Sequence, residues 1–220
     1  MPPPGPGTKA RLDSLREIQN YNYPRATPSA TAPDFCLAAA RFVAAKLVGL
    51  LKESQHLNGF LDSPEAKSSA MSRADLSLAW GKLTTLKDFN EKALPAAIGS
   101  GGKRASAGVE FVHAWNDSMK ADQFLAQRVP IVCGISLGGG SSRDHFVVLV
   151  AGSAGSVWLV DSWGETGSES SVQVPKPFTF SKPIKVTINA GDAIVPSANP
   201  FFGYFRDSAT GDPLKTSIAL

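Results

Sequence analysis

A pair of apolar segments joined by a short link limits the possible folds of this chain more than any other feature. Residues 144–150 read Asp-His-Phe-Val-Val-Leu-Val, and residues 157–164 read Val-Trp-Leu-Val-Asp-Ser-Trp-Gly. Both segments are rich in β-branched residues, which is typical of buried strands. The link at 151–156 contains only small residues, including two glycines, and predicts a hairpin turn. The sequence therefore predicts two adjacent antiparallel strands.

This hairpin predicts that a histidine and an aspartate lie side by side. With a turn of about three residues centred on Ser153, His145 falls directly opposite Asp161. Directly opposed residues in an antiparallel pair have Cβ atoms about 5 Å apart. A carboxylate at that distance can hold an imidazole in one tautomer and stabilise its protonated form. The pair makes up two thirds of a catalytic triad, so a nucleophile elsewhere in the chain would complete one.

A long apolar segment at 35–51 predicts a helix in the middle of a domain. Only Arg41 and Lys46 interrupt its apolar and small residues, and a helix that is apolar nearly all round is a buried one. Asp34 is a suitable N-cap for it. Cys36 then lies in the first helical turn, where free backbone N–H groups and the helix dipole favour a thiolate.

The order of the predicted elements indicates an α+β fold, with helices mainly in the first half and strands mainly in the second. Residues 1–10 are assigned to a disordered leader and 11–220 to a single domain, helical at about 11–127 and β at about 128–220. Residues 54–71 and 98–106 are predicted loops, and the aromatic segment 200–205 is expected to pack onto the sheet. Helices are predicted at 11–19, 35–51, 72–89 and 118–127, and strands at 109–112, 129–135, 144–150, 157–164, 171–174 and 184–188.

Composition excludes several classes of partner. The hydrophobic content of 43% and charged content of 19% are those of a globular protein. A net charge of +3 is too small to indicate nucleic acid or an anionic membrane as a partner. No apolar run is long enough to span a bilayer, and the proline-rich amino terminus lacks the apolar region of a signal peptide. We expect a monomer that is either cytoplasmic or exported by a non-classical route.

The remaining cysteine and histidines predict no further site. Cys36 and Cys133 are the two cysteines of the chain, and we expect free thiols because no secretory signal is visible. Cys133 lies within an apolar strand and is predicted to be structural. His56 and His113 lack Cys, Asp or Glu neighbours with metal-ligand spacing, so neither a metal nor a cofactor is predicted. The glycines at 138–140 lack the Gly-Lys-Ser/Thr ending of a phosphate-binding loop.

Taken together, Cys36, His145 and Asp161 resemble the catalytic triad of papain-like cysteine peptidases. In that family the cysteine opens a long central helix, the histidine starts a strand, and an asparagine or aspartate lies on the next strand. The residues at 144–150 resemble the family's histidine segment, those at 160–164 its Asn-Ser-Trp-Gly segment, and those at 128–132 its Gly-Pro-Val/Ile strand. The sequence Phe-Cys-Leu-Ala-Ala at 35–39 is closer to bacterial effector proteases of the YopT type and to bacteriocin-processing peptidases.

The resemblance implies a papain-like fold, a protein or peptide substrate, and a bacterial effector or toxin. It implies that Cys36 is the nucleophile, His145 the general base and Asp161 the group that orients the histidine, with Trp163 covering the pair. Phe35 replaces the usual glycine before the cysteine, and the tryptophan that often follows the nucleophile is absent. The family's oxyanion-hole glutamine has no match at the usual distance, and the candidates farther upstream are Gln19, Asn20 and Asn22.

Other functions are compatible with the same residues. Transglutaminases, deamidases and arylamine N-acetyltransferases also pair a histidine strand with an aspartate strand, although the long separation between Cys36 and His145 favours a peptidase. A catalytically inactive binding module on the same fold is a third possibility, which the missing oxyanion glutamine supports. Each residue also has a structural interpretation: Cys36 as a small core residue, His145 as a hydrogen-bonded histidine and Asp161 as the cap of a turn.

Overall fold

Helices pack against one antiparallel sheet in the computed structural model, so the predicted α+β class is confirmed. The residues that the structure describes are 7–17, 35–99, 108–115, 118–137, 145–162, 171–174, 179–180, 186–187, 193–196 and 201–220. The α-helices are α1 (Thr8–Leu15), α2 (Phe35–Leu47), α3 (Leu57–Leu61), α4 (Pro64–Ser68), α5 (Arg73–Gly81), α6 (Leu86–Asp88), α7 (Leu94–Gly99) and α8 (Ser118–Ala126). A π-helical turn (Phe89–Ala93) joins α6 to α7.

The described strands form a sheet in which every pair is antiparallel. They are β1 (Val109–Trp115), β2 (Ile131–Leu137), β3 (His145–Ala151), β4 (Val157–Val160), β5 (Ser171–Gln173), β6 (Val186–Thr187), β7 (Ala193–Pro196) and β8 (Phe201–Asp207). The main order is β1-β8-β2-β3-β4-β5. In addition, β7 pairs with the end of β2, and β6 pairs with β7. Strands that are distant in sequence therefore become neighbours in the sheet.

The sheet lies between two apolar clusters of side chains, and each cluster covers one of its faces. Phe146, Val148 and Val150 of β3 belong to the cluster that contains α2, whereas Val147 and Leu149 belong to the cluster that contains α8. This division follows from the alternation of side chains along a strand. Because β3 is covered on both faces, it has the continuous apolar sequence from which the strand was predicted.

Helix α2 is the buried helix that the sequence predicts, and its first interior charge, Arg41, holds neighbouring elements against it. The guanidinium Nη1 of Arg41 donates hydrogen bonds to the carbonyl oxygens of Ala79 and Trp80 at the end of α5. The same group lies over the rings of Phe89 and Phe111, at 4.7 and 4.8 Å from their centroids. Burial lowers the pKa of Arg41 to about 9. Arg41 therefore joins α2 to α5 by hydrogen bonds inside an apolar core.

Several helix boundaries differ from the prediction. Helix α1 begins at Thr8, inside the predicted leader, and the helix predicted to reach residue 89 ends at Gly81. The predicted loop at 54–71 contains α3 and α4. Helix α4 has a recognisable start, because the Ser63 side chain accepts a hydrogen bond from the Ala66 N–H and Pro64 takes the first helical position. Such short helices lack the repeated apolar spacing from which longer ones are predicted.

The sheet also brings together segments that are far apart in the sequence. The aromatic segment predicted to pack on the sheet is β8, a strand that lies between β1 and β2. Strand β1, from the part of the sequence assigned to the helical half, enters the sheet through this pairing. Phe201, Phe202 and Phe205 are fully buried. Burial of these rings removes apolar surface from water and so stabilises β8 within the sheet.

Gly203 in β8 allows the ring of Phe111 on β1 to lie against the strand. A Cβ placed on Gly203 would overlap that ring. We expect Gly203→Ala to lower the free energy of unfolding by about 1–3 kcal/mol, because overpacking displaces a buried side chain. Urea denaturation measures the loss. The matched control is Gly59→Ala, since a Cβ on Gly59 meets no atom within 4 Å. Equal midpoints for the two variants would contradict the role assigned to Gly203.

Candidate active site

The strand register around His145 and Asp161 differs from the predicted one. Val148 pairs with Val160, so the position opposite Asp161 is Val147 and His145 is a diagonal neighbour. The prediction of direct opposition is wrong because the link between β3 and β4 spans residues 152–156 instead of about three residues. A 3₁₀ turn fills this link, with left-handed backbone at Ala154 and Gly155.

The two side chains nevertheless meet. The Nε2 atom of His145 lies 2.5 Å from Oδ1 of Asp161, and each residue is only 2% exposed. Diagonal neighbours on one sheet face are within reach of a long side chain such as histidine. An ionised carboxylate accepts hydrogen bonds and donates none. The proton in this hydrogen bond therefore belongs to Nε2 of His145. The nitrogen left to accept a proton in the neutral ring is then Nδ1.

This buried pair lies at one end of the sheet. His145 is the first residue of β3, and Asp161 directly follows the last residue of β4. His145 also pairs with Ile135, near the end of β2. The pair therefore lies at the end of the sheet where β3 begins and β4 ends. Loops that connect strands at such an end can complete a site.

Two hydrogen bonds connect the carboxyl end of α2 to the chain segment before β2. The last residue of α2, Leu47, accepts a hydrogen bond from the Ser217 N–H at 2.9 Å. The neighbouring Thr216 N–H donates to the carbonyl oxygen of Arg128, at 2.8 Å. Arg128 lies shortly before β2, whose first residue pairs with Leu149 near the end of β3. The carboxyl end of α2 is thus joined through residues 216–217 to the segment that leads into β2.

Cys36 lies in the first turn of the helix that packs against β3, the strand that begins at His145. Helix α2 packs along β3, and Cys36 is its second residue. The cysteine is 5% exposed and belongs to the same apolar cluster as Phe146, the neighbour of His145. Strand alternation puts His145 on the opposite sheet face, with Ile135. Contact between the thiol and the imidazole would therefore pass around the end of the strand.

The second cysteine has a different environment. Cys133 is 1% exposed, lies within β2 and belongs to the cluster on the α8 face. Burial raises the pKa of the Cys133 thiol, because a thiolate in the core would lose its hydration. Neither cysteine forms a disulfide, as predicted. The surroundings of Cys133 are those of a structural residue.

Several predicted site residues lie outside the described part of the chain: Gln19, Asn20, Asn22 and Trp163. Their roles as oxyanion donors and as a cover for the site stay predictions. Among the residues that are described, no three His, Cys, Asp or Glu side chains lie together in a way that could hold a metal ion. In the same residues, no helix has the length and apolarity needed to cross a membrane.

Arg16 is the site neighbour that the sequence did not reveal. Burial lowers the pKa of Arg16, and the negative charge of Asp161 acts against this effect. The residue follows α1, far from either strand in sequence, and no motif marks it. Comparison with known proteins adds nothing to this geometry, since no family model, curated protein or solved structure matches the chain.

Proposed function

We propose that this protein is a cysteine peptidase with a papain-like fold, in which Cys36, His145 and Asp161 form the catalytic triad. The observation that carries the proposal is the buried hydrogen bond between His145 and Asp161. Helix α2, whose second residue is Cys36, packs against β3, the strand that begins with His145. A histidine held by a carboxylate, together with a cysteine in the first turn of a helix, is the set of groups that thiol hydrolysis needs.

The chemistry follows from these groups. Nδ1 of His145 takes the proton from the Cys36 thiol, and the thiolate attacks the carbonyl carbon of a peptide bond. The imidazolium then gives its proton to the leaving amine as the C–N bond breaks, which leaves a thioester on Cys36. Water attacks the thioester while His145 takes one of its protons, and the C–S bond breaks to release the acid. Asp161 orients the ring and stabilises its charged form throughout.

The location of Cys36 supports its role as nucleophile. In the first turn of α2, backbone N–H groups without intrahelical partners and the positive end of the helix dipole both stabilise negative charge. These effects act on a thiolate that is largely shielded from water. On the resemblance to bacterial effector proteases, we extend the proposal to a monomeric effector or toxin that acts on a protein or peptide substrate.

Hydrolysis of casein and of a broad fluorogenic peptide library tests the proposal directly. We expect the unmodified protein and Cys133→Ala to cleave substrate and Cys36→Ala to be inactive. Cleavage by Cys36→Ala at the unmodified rate would refute the assignment. Release of ammonia without chain cleavage would instead identify a deamidase, and incorporation of a primary amine would identify a transglutaminase.

Selective alkylation distinguishes an active site from a binding module without any knowledge of the substrate. We expect iodoacetamide at about pH 6 to modify Cys36 and leave Cys133 unmodified, because the thiolate is the reactive form and burial raises the pKa of Cys133. Mass spectrometry of tryptic peptides measures both sites. In denaturant the two cysteines should react equally. Slow reaction at both sites in the native protein would support the binding module.

A further inference from the structure

Arg41 carries a positive charge inside the core without a negative partner. The residue is 0% exposed. Burial lowers its pKa to about 9, so the guanidinium is still protonated at neutral pH. In the part of the chain that the structure describes, no carboxylate pairs with Arg41. A buried charge normally has an opposite charge beside it and an acceptor for each of its donors.

One nitrogen of the guanidinium has its acceptors. Nη1 of Arg41 donates to the carbonyl oxygens of Ala79, Trp80 and Lys82, at 3.2, 2.7 and 3.3 Å. Ala79 and Trp80 belong to the last turn of α5, where the helix dipole is negative. The dipole offsets only part of a full charge, so the guanidinium still lacks a counter-ion.

The other two nitrogens of the guanidinium are unpaired. Nε and Nη2 of Arg41 are buried, and neither has a hydrogen-bond partner among the described residues. Both lie on the same edge of the planar group. That edge presents two parallel N–H groups, the geometry that binds both oxygens of a carboxylate-like anion. Because an unpaired buried donor on a charged group is costly, two on one edge indicate a site for an acceptor from outside the chain.

A third unpaired donor lies in the same aromatic cluster. Nε1 of Trp80 is buried, again without a partner in the described residues. The ring centroids of Trp80 and Phe89 are 4.7 Å apart, and Cζ of Arg41 lies 4.7 Å from the same Phe89 centroid. These three N–H groups call for an acceptor.

Two polar neighbours supply no negative charge to Arg41. The amide of Asn90 is occupied by the backbone of Phe111, accepting from its N–H at 2.8 Å and donating to its carbonyl oxygen at 2.9 Å. Burial, and to a smaller extent the charge of Arg41, lower the pKa of His113 on β1. A histidine is either neutral or positive, so neither residue balances the guanidinium.

We infer that the Nε–Nη2 edge of Arg41 binds a small planar oxyanion, of the size of formate, nitrate or bicarbonate, in the core between α2, α5 and β1. The anion accepts two charge-assisted hydrogen bonds and neutralises the buried charge. Water satisfies the same donors but leaves that charge unpaired. The site involves none of the proposed triad residues, so it is independent of the proposed function.

Urea denaturation in sodium formate and in sodium gluconate, at equal ionic strength, tests this site. Gluconate carries the same carboxylate on a chain too long for a buried site. Because formate binds only the folded protein, we expect the folding equilibrium constant to rise about fivefold between 10 and 100 mM formate, for a dissociation constant of about 10 mM. It should stay level in gluconate. Equal stability in the two salts would overturn the inference.

Substitutions locate the effect. Arg41→Met removes the charge and both donors, so the difference between formate and gluconate should disappear. The control Arg206→Met removes an exposed partner of Glu110, at 2.8 Å, and should keep the full difference. A difference that persists in Arg41→Met would place the anion elsewhere and refute the site. If Arg41→Met does not fold, Arg41→Lys replaces it, since lysine keeps the charge without the two-donor edge. An undiminished formate effect in Arg41→Lys would equally contradict the inference.

Discussion

Replacing His145 with alanine is expected to reduce kcat/KM for a peptide substrate by at least about a thousandfold, as much as replacing Cys36. The members of a triad act as a unit, so the loss of the base leaves a thiol that is seldom deprotonated. For the same reason, the double variant should be no slower than either single one. Asp161→Asn should be milder, with reduced but measurable activity, because an amide can still orient the ring. Single-turnover assays with an acylating substrate measure all four variants.

Two controls make this result specific to the site. Cys133→Ala should keep its activity, because that thiol lies in the core of β2 and on the α8 face. Circular dichroism and thermal unfolding should show that His145→Ala remains folded at the assay temperature. Near-full activity in folded His145→Ala protein would exclude the triad, whatever the behaviour of the Cys36 variant.

The largest effect on stability is expected at Lys46. This side chain is 0% exposed and pairs with the buried carboxylate of Glu17. Burial lowers the pKa of Lys46, and the attraction of Glu17 opposes that effect. Lys46→Met removes one partner and leaves a buried charge, so we expect the free energy of unfolding to fall by about 3–5 kcal/mol. Urea denaturation monitored by tryptophan fluorescence measures the change.

The matching variants identify the cause of this loss. In Glu17→Gln/Lys46→Met no charge remains buried, so the double variant should be more stable than Lys46→Met alone. Lys92→Met removes an ion pair on the surface, in which Lys92 Nζ lies 2.9 Å from Oδ1 of Asp88. That control should unfold at the same urea concentration as the unmodified protein. A double variant no more stable than Lys46→Met would show that the cost comes from packing instead of charge.

The sequence by itself determined the class of the fold, the buried helix α2 and the two strands that carry His145 and Asp161. These features depend on apolar patterns and turn residues within short windows, where neighbouring side chains decide the local structure. Helix α5 begins where the sequence predicts a helix, and there the Ser72 side chain accepts a hydrogen bond from the Asp75 N–H three residues later. The lack of a disulfide between Cys36 and Cys133 was also predictable.

Only the tertiary structure decided how these elements meet. The length of the turn around Ala154 set the register of β3 and β4, and with it the diagonal contact of the pair. The pairing of β8 with β1 and β2 depends on the fit of Gly203 against Phe111, residues far apart in sequence. The charge of Asp161 acts on Arg16, which follows a helix that packs against β5. Such contacts arise from packing among distant segments, which leaves no pattern in the local sequence.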